Sequence, residues 1–296
     1  MAITIGAGSD AWGIWHAEHP AQIPWRRYLD EVADAGYRVV EPGNFGYLPR
    51  DPATVRRELS ARGLTIPGGT YFAAISDRTK RDAVHAGLDQ TAAWLAAIEA
   101  THLVLLDDFT RDPNSGEVKS SARLDEAGWA DFIDTIHALG RRARDAHGLT
   151  LVFHPHCDAT IETEADIERL LAGTDPALVG LCMDTGHHLY SGGNPARFWR
   201  RHHARMPYLH LKSMNARMLD TVRRENLPWG VAVARGVTDE PARGAVDFEA
   251  LAAALKETAY SGYAIVELDM FPCDPAVPLP LARRTIAYLR SLGFAT

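Results

Sequence analysis

Short apolar runs alternate with longer amphipathic stretches along the whole chain. The short runs are typical of buried strands, and the stretches between them repeat apolar residues at helical spacing. Strands that are joined through helices run parallel, and eight such units favour a closed barrel over an open sheet. The sequence therefore predicts a (β/α)8 TIM barrel, with strands at residues 3–7, 38–41, 64–71, 102–106, 149–154, 178–183, 207–211 and 263–268.

Capping residues mark where helices begin between these runs. Asp51 before a proline and Asp247 before an amphipathic stretch are predicted N-caps. Thr163 and Asp166 have the spacing of a capping box. The connection at residues 212–246 is much longer than the others, and such insertions are often functional, so we interpret it as a lid or a partner surface.

The chain is predicted to form one domain over residues 1–296, because no change in composition and no linker divides it. An open doubly wound sheet is the main alternative. Such sheets usually carry a glycine-rich phosphate loop after the first strand. The residues at that place read GAGSDAWG, which lacks the GxGxxG spacing.

Charge and cysteine content exclude several classes of function. The 31 Lys and Arg residues against 38 Asp and Glu residues give a net charge of −7, and there is no cationic run. Nucleic acid is therefore disfavoured as a partner. The three widely spaced cysteines, Cys157, Cys182 and Cys273, indicate reduced thiols. Neither a signal peptide nor a membrane span is apparent, so we expect a cytoplasmic protein that binds no membrane.

Polar and aromatic residues follow the predicted strands at their carboxyl ends, which is where barrels of this kind carry their active sites. The last four strands all end in side chains that can bind a metal ion. Neighbouring strands are about 4.8 Å apart, so these side chains can converge over the barrel mouth. The candidates are Trp12, Glu41, Asn44, Tyr71, Asp107, Asp108, His154, His156, Asp184, His187, His210, Lys212, Glu267 and Asp269.

The alternation of side chains along a strand supports a site inside the barrel mouth. His210 and Lys212 are two residues apart and therefore point to the same face. Glu267 lies between Val266 and Leu268, which suit the helix-packed exterior. A carboxylate inside an apolar strand needs a partner, and a metal ion supplies one.

Each candidate also has a purely structural interpretation. Asp184 precedes Thr-Gly-His and can cap the next helix, and His210 alone can be a satisfied core histidine. Trp12 and Tyr71 are either stacking platforms for a sugar or aromatic core residues. Substrate contact and structural support are equally open for Lys212, Glu41 and Asn44.

At these positions the chain resembles the xylose-isomerase-like barrel superfamily of sugar (phosphate) isomerases and epimerases. The motifs are MDTGH at 183–187, LHLK at 209–212, GAVDF at 244–248 and IVELD at 265–269. The first half, with DEVADAGYRVVEPG, is also similar to this group. The resemblance implies one divalent ion, manganese first and otherwise magnesium, cobalt or zinc, with Asp184, His210 and Glu267 as ligands.

The fourth ligand is where this chain departs from the superfamily. A glutamate usually ends the fifth strand, but His154 stands there. The stretch HPHCDATIE is similar to the HxHxxTxxE pattern of inosose-dehydratase-like members, with Ala159 in the place of the threonine. This resemblance implies Glu162 as the fourth ligand and leaves His154 to bind substrate. His154 or His156 is the alternative ligand, since imidazole also suits these metals.

The resemblance implies proton abstraction next to a carbonyl. The ion clamps adjacent oxygens of a hydroxy-ketone and stabilises an enediolate, while His156 removes the carbon-bound proton. Glu267 is predicted to be catalytic as well as a ligand, and His187 and Lys212 are predicted to hold substrate oxygens or deliver a proton. Reprotonation gives isomerisation or epimerisation, whereas loss of a β-hydroxyl gives dehydration.

The sequence thus favours a divalent-metal-dependent carbohydrate isomerase, epimerase or keto-sugar dehydratase, similar to inosose dehydratase, that acts on a keto-sugar or cyclitol. One alternative is the catalytic subunit of a C-glycoside deglycosidase, which works with a small partner subunit. A homo-oligomer is also compatible with the sequence. An apurinic-endonuclease-like nuclease is disfavoured by the negative charge. A non-catalytic sugar-binding barrel is the remaining alternative.

Overall fold

The computed structural model describes residues 3–119 and 124–295, in which strands and helices alternate as the hydrophobic pattern predicts. The strands are β1 (Ile3–Ala7), β2 (Val39–Val40), β3 (Gly68–Ala73), β4 (His102–Asp107), β5 (Thr150–Phe153), β6 (Val179–Asp184), β7 (Tyr208–Leu211), β8 (Ser213–Met214), β9 (Thr238–Asp239) and β10 (Gly262–Val266). The helices are α1 (Trp25–Ala35), α2 (Pro52–Ser60), α3 (Arg81–Ala97), α4 (Glu126–His147), α5 (Glu164–Gly173), α6 (Thr185–Tyr190), α7 (Pro195–His202), α8 (Ala216–Glu225), α9 (Trp229–Ala234), α10 (Phe248–Glu257) and α11 (Pro278–Ser291). Short 3-10 turns cover Ser9–Trp12, Arg78–Lys80 and His203–Arg205.

Eight strands form one curled parallel sheet in the order β2-β1-β10-β7-β6-β5-β4-β3. The remaining gap, between β2 and β3, is spanned by a parallel bridge from Val39 to Thr65, just before β3. Thr65 donates its backbone N–H to Arg38 and accepts from Val40. The prediction of a (β/α)8 TIM barrel is confirmed.

The barrel has two apolar layers that follow from the alternation along each strand. One cluster fills the interior with side chains such as Val104, Val152, Tyr208 and Ile265. A larger cluster lies between the strands and the surrounding helices. In β7 Tyr208 belongs to the inner layer, and Leu209 belongs to the outer layer. His210 follows the same parity and is therefore directed into the barrel mouth.

The predicted N-caps are confirmed by hydrogen bonds. Asp51 accepts the backbone N–H of Thr54, Asp247 accepts that of Ala250, and Thr163 forms a reciprocal capping box with Asp166. One predicted strand differs at its start by more than one residue, because β3 begins at Gly68 and not at residue 64. The reason is the proline at position 67, which has no N–H to donate to a ladder.

The long connection after β7 is regular structure. It contains β8, α8, α9 and β9, and β8 pairs with β9 as an antiparallel ribbon outside the barrel. Its apolar side chains, including Met214, Leu219 and Trp229, form a separate buried cluster with Cys157 and Tyr190. No helix within the described residues is both long and apolar enough to cross a membrane.

Candidate functional site

A cavity of about 480 Å³ opens at the carboxyl ends of the barrel strands. Its floor is polar and includes residues from each of the last four barrel strands or the turn that follows them. Its rim is aromatic, with Trp15, Phe72, Phe109, Trp229 and Phe271. A polar floor that fixes orientation under apolar walls is the usual composition of a small-molecule site.

Four buried side chains on the floor direct ligand atoms towards one point. One atom from each of His154, Asp184, His210 and Glu267 lies within 4.8 Å of the others. Among the described residues, Asp184 Oδ2 and His210 Nδ1 are buried polar atoms with no hydrogen-bond partner. Unpartnered buried atoms are costly, and a cation at this point would satisfy them. Two imidazoles and two carboxylates therefore fit a divalent transition metal.

Asp184 uses its two carboxylate oxygens differently. Oδ1 accepts the backbone N–H groups of Gly186 and His187 and thereby caps α6. Oδ2 lies on the other side, 3.7 Å from His154 Nε2 and 3.3 Å from Lys212 Nζ. The structural and the metal-binding interpretation of this residue are therefore both compatible with its geometry.

His210 is held by carboxylates at both ring nitrogens. Nε2 lies 3.2 Å from Glu41, which also accepts a 2.7 Å hydrogen bond from Tyr208. Nδ1 lies 2.9 Å from Glu267 Oε1, outside hydrogen-bonding geometry. Burial disfavours the imidazolium, but Cys182, Glu267 and Glu41 together raise the pKa of His210 well above its ordinary value. Glu41 thus contacts His210 Nε2 and also lines the cavity.

Lys212 places a buried ammonium group beside the four metal-capable residues. Its Nζ lies 2.7 Å from Asp269, 2.9 Å from Glu267 and 3.3 Å from Asp184. Burial opposes the charge, yet these carboxylates raise the pKa of Lys212 well above its ordinary value. Gly186 makes the approach possible, because a Cβ there would lie 2.6 Å from Lys212 Cγ. The glycine of the MDTGH motif is therefore required for the close packing of Lys212 against α6.

His156 and His187 lie against each other with ring centres 3.8 Å apart and ring planes tilted by 39°. His156 Nδ1 donates a 2.7 Å hydrogen bond to the carbonyl of Cys157. Burial, and then the neighbouring His154, lower the pKa of His156 to about 3. Burial also lowers the pKa of His187, and both imidazoles are therefore neutral near pH 7.

Glu162 lies apart from this group. Its carboxylate is 3.4 Å from Ser191 Oγ and borders an outer groove with Arg111 and Tyr190. The structure thus brings His154, and not the predicted Glu162, to the fourth position beside Asp184. The physical reason is that His154 continues the inward face of β5, while the following turn directs Glu162 outwards. Burial and Asp158 raise the pKa of Glu162 to about 7.

Two predicted sugar-stacking residues lie outside the cavity lining. Trp12 is buried against Tyr28 and donates a 2.9 Å hydrogen bond to Glu31. Tyr71 points towards α3 and donates to the carbonyl of Val84. Both positions match the core-packing interpretation. Asn44 lines the cavity, although its amide nitrogen donates to the carbonyl of Trp15.

Two cavity residues, Asp10 and Trp229, were missing from the predicted site. Asp10 comes from the 3-10 turn after β1, and burial raises its pKa well above the usual range. Asp269, one of the strand-end candidates, follows β10 in the IVELD motif and lines the same cavity. Trp229 comes from the long connection after β7 and lies 4.7 Å from the His187 ring. Its indole is positioned by a hydrogen bond from its backbone N–H to Asp158.

Comparisons with known proteins show the family to which the chain belongs. The family model of the xylose isomerase-like TIM barrel matches residues 29–292. The inosose dehydratase of Geobacillus kaustophilus is 32% identical over 256 residues, which cover 85% of this chain and 81% of that protein. The inosose dehydratase of Bacillus licheniformis is 30% identical over 296 residues, with 96% of this chain and 95% of that protein covered.

A solved structure shares the architecture at lower sequence identity. The IolI protein with a bound zinc atom superimposes with a TM-score of 0.74 at 14% identity and covers 99% of this chain, with 100% of its own chain aligned. At that identity the likeness shows the fold. The family match and the inosose dehydratase relatives show that the chain belongs to the xylose isomerase-like TIM barrel family and is similar to its inosose dehydratases. It is therefore a sugar isomerase, epimerase or lyase of this family.

Proposed function

We propose that this enzyme is a divalent-metal-dependent dehydratase that removes water from a keto-cyclitol or keto-sugar, with an inosose as the first substrate to test. The observation that carries the proposal is the convergence of His154, Asp184, His210 and Glu267 on one point beside a neutral imidazole and an ammonium group. The likeness to inosose dehydratases supports the choice of elimination over epimerisation.

We assign the metal to His154, Asp184, His210 and Glu267. This set has two nitrogen and two oxygen donors, which suits manganese, cobalt or zinc better than magnesium. When bound, such an ion acts as a Lewis acid on the substrate carbonyl and so acidifies the neighbouring carbon. Glu41 would orient His210 from behind, as carboxylates commonly do for histidine ligands.

His156 is the proposed base. Its Nδ1 carries the hydrogen that is donated to the Cys157 carbonyl, so Nε2 of the neutral ring is left with its lone pair. The ring lines the cavity between Phe109 and Trp229. A neutral imidazole that faces a substrate pocket is suited to take a carbon-bound proton.

Lys212 is the proposed acid, because its ammonium group lines the same cavity. In the elimination, His156 takes a proton from the carbon next to the carbonyl, and the hydroxyl on the following carbon leaves with a proton from Lys212 as water. The substrate loses one water molecule and gains a double bond. Transfer of one proton from His156 back to Lys212 restores the enzyme.

The aromatic rim favours a second candidate, elimination of an aromatic aglycone from a 3-keto C-glycoside. Trp15 and Phe271 stack at 5.5 Å on the rim, and Phe72 and Phe109 form another pair at 5.5 Å. Phe72 is 40% exposed, which is unusual for so large an apolar side chain. Such a rim would accommodate an apolar group attached to the sugar ring.

The test is an assay of the Mn²⁺-loaded protein in deuterated water with 2-keto-myo-inositol, free ketoses and 3-keto-glycosides. We expect loss of water from the inosose, with solvent deuterium in the recovered substrate. Epimerised product, or release of an aglycone only, would redirect the assignment to the corresponding reaction. Metal binding with no turnover of any of these compounds would favour a sugar-binding barrel.

The ligand assignment has its own matched pair of variants. His154→Ala should abolish Mn²⁺ binding in calorimetry, while Glu162→Gln should retain it. The reverse result would return the fourth position to Glu162. Retention of the metal after loss of both the Asp184 and the Glu267 carboxylates would show that the site is elsewhere.

A further inference from the structure

A chain of three buried polar groups runs from the core of the long connection to the floor of the cavity. Cys157 Sγ lies 2.8 Å from His187 Nδ1, and His187 Nε2 lies 3.0 Å from Lys212 Nζ. All three side chains are at most 2% exposed. In each of these two buried contacts one atom must supply the hydrogen and the other a lone pair.

Lys212 determines the first hydrogen. Its Nζ has acidic oxygens from Asp184, Glu267 and Asp269 within 3.3 Å. An ammonium group carries only hydrogens and has no lone pair, so the nitrogen that faces it cannot also carry a hydrogen. His187 Nε2 is therefore the acceptor in its contact with Lys212.

The second hydrogen then follows. A second proton on the His187 ring would have to be on Nε2, against the ammonium group 3.0 Å away, so the ring is neutral and carries a single N–H. With Nε2 as the acceptor, this hydrogen is on Nδ1 and is donated to Cys157 Sγ. Burial raises the pKa of Cys157, which therefore remains a thiol and offers a sulfur lone pair as a weak acceptor.

We propose that Cys157 is a positioning residue, which holds His187 in the Nδ1–H tautomer so that Nε2 accepts a hydrogen bond from Lys212. His187 then cannot donate a proton from Nε2, and Lys212 is left as the donor towards the cavity. This differs from the sequence-based expectation that His187 delivers a proton. The tautomer follows from the contacts of Lys212, His187 and Cys157, while its effect on turnover rests on the proposed function.

The test is ¹⁵N NMR of the histidine rings in the Zn²⁺-loaded protein, with His187→Asn used to assign the His187 signals. The wild-type ring should show a protonated Nδ1 and an unprotonated Nε2. Cys157→Ala leaves the buried Nδ1 hydrogen without its acceptor and should therefore weaken this preference. Cys157→Ser should restore it through its hydroxyl oxygen, and Cys273→Ala, at a half-buried cysteine in another segment, should keep it. A hydrogen on Nε2 in the wild type would overturn the proposal without any variant.

Kinetics provide a second readout on the same variants. Loss of the group that orients a metal-binding histidine typically costs about 10- to 100-fold in activity, and we take the same range for His187. We expect Cys157→Ala to lower kcat by that factor with little change in KM, and Cys157→Ser to recover most of it. An unchanged tautomer in Cys157→Ala would refute the role of the thiol. The expected tautomers without turnover of any keto-sugar would refute the proposed function and leave this inference intact.

Discussion

Replacing Lys212 by methionine keeps most of the side-chain volume and removes the buried positive charge. Three carboxylates lie within 3.3 Å of this ammonium group. Removing one partner of a buried ion pair costs about 3–5 kcal/mol, because the remaining charge is left without compensation. With roughly 2–4 °C of Tm for each kcal/mol in a protein of this size class, we expect the metal-free variant to melt about 6–20 °C below the wild type.

A divalent ion would return positive charge to the same carboxylates, so Mn²⁺ should raise the Tm of the variant more than that of the wild type. Thermal unfolding followed by circular dichroism, with EDTA and then with Mn²⁺, measures both effects. Lys256→Met, at an exposed position on α10, is the control and should change Tm little in either condition. The electrostatic reasoning would be refuted if Lys212→Met and the wild type had the same Tm without metal. It would also be refuted if Mn²⁺ raised the Tm of both proteins by the same amount.

Three further predictions follow from the surroundings of the site. Glu41→Gln should weaken Mn²⁺ binding about 10- to 100-fold in calorimetry, because the carboxylate that contacts His210 Nε2 is lost. The control is Glu257→Gln, at an exposed carboxylate paired with Arg200, which should leave Mn²⁺ affinity unchanged. The pKa of His210 is raised, so below that pKa the metal must displace a proton from the ring. Metal affinity should therefore rise with pH, and calorimetry in two buffers of different ionisation enthalpy should detect the released proton. An affinity that does not change from about pH 6 to 8 would contradict this. Burial raises the pKa of Glu162 from 4.5 to about 7, so the folded state binds its proton more tightly and stability is lost as the pH rises through this interval. Glu162→Gln should therefore raise the free energy of unfolding in urea by about 2–3 kcal/mol at pH 8 and by almost nothing near pH 4.5. If variant and wild type are equally stable at pH 8, the carboxylate is well solvated and this reasoning is wrong.

The fold follows from information that is local in the sequence. Apolar runs of strand length, helix caps such as Asp51 and Thr163, and the rule of parallel crossovers are sufficient to predict eight strands in a closed barrel. The same parity argument places His210 and Lys212 on one inward face, where the structure has them. The floor of the cavity was predictable because strand ends of a barrel meet at one mouth.

The rest of the site depends on turns, whose direction is not encoded in a periodic pattern. Glu162 is eight residues beyond His154, and only the folded turn shows that it faces the outer groove. Asp10 follows the first strand without any apolar pattern to mark its direction. Trp229 reaches the cavity because the connection after β7 packs on the turn after β5, through the hydrogen bond to Asp158. Contacts between turns that are far apart in the sequence produce no regular residue spacing from which they could be predicted.

Asp184 shows why structural and functional interpretations of one residue need not compete. The two N–H groups at the start of α6 hold Oδ1, and this fixes the rotation of the whole carboxylate. The second oxygen is thereby aimed at His154 and Lys212 before any ligand arrives. A group that is oriented in advance loses less conformational entropy when it binds a metal. The helix cap is thus the device that prepares the ligand, and the sequence Asp-Thr-Gly-His encodes both functions through one side chain.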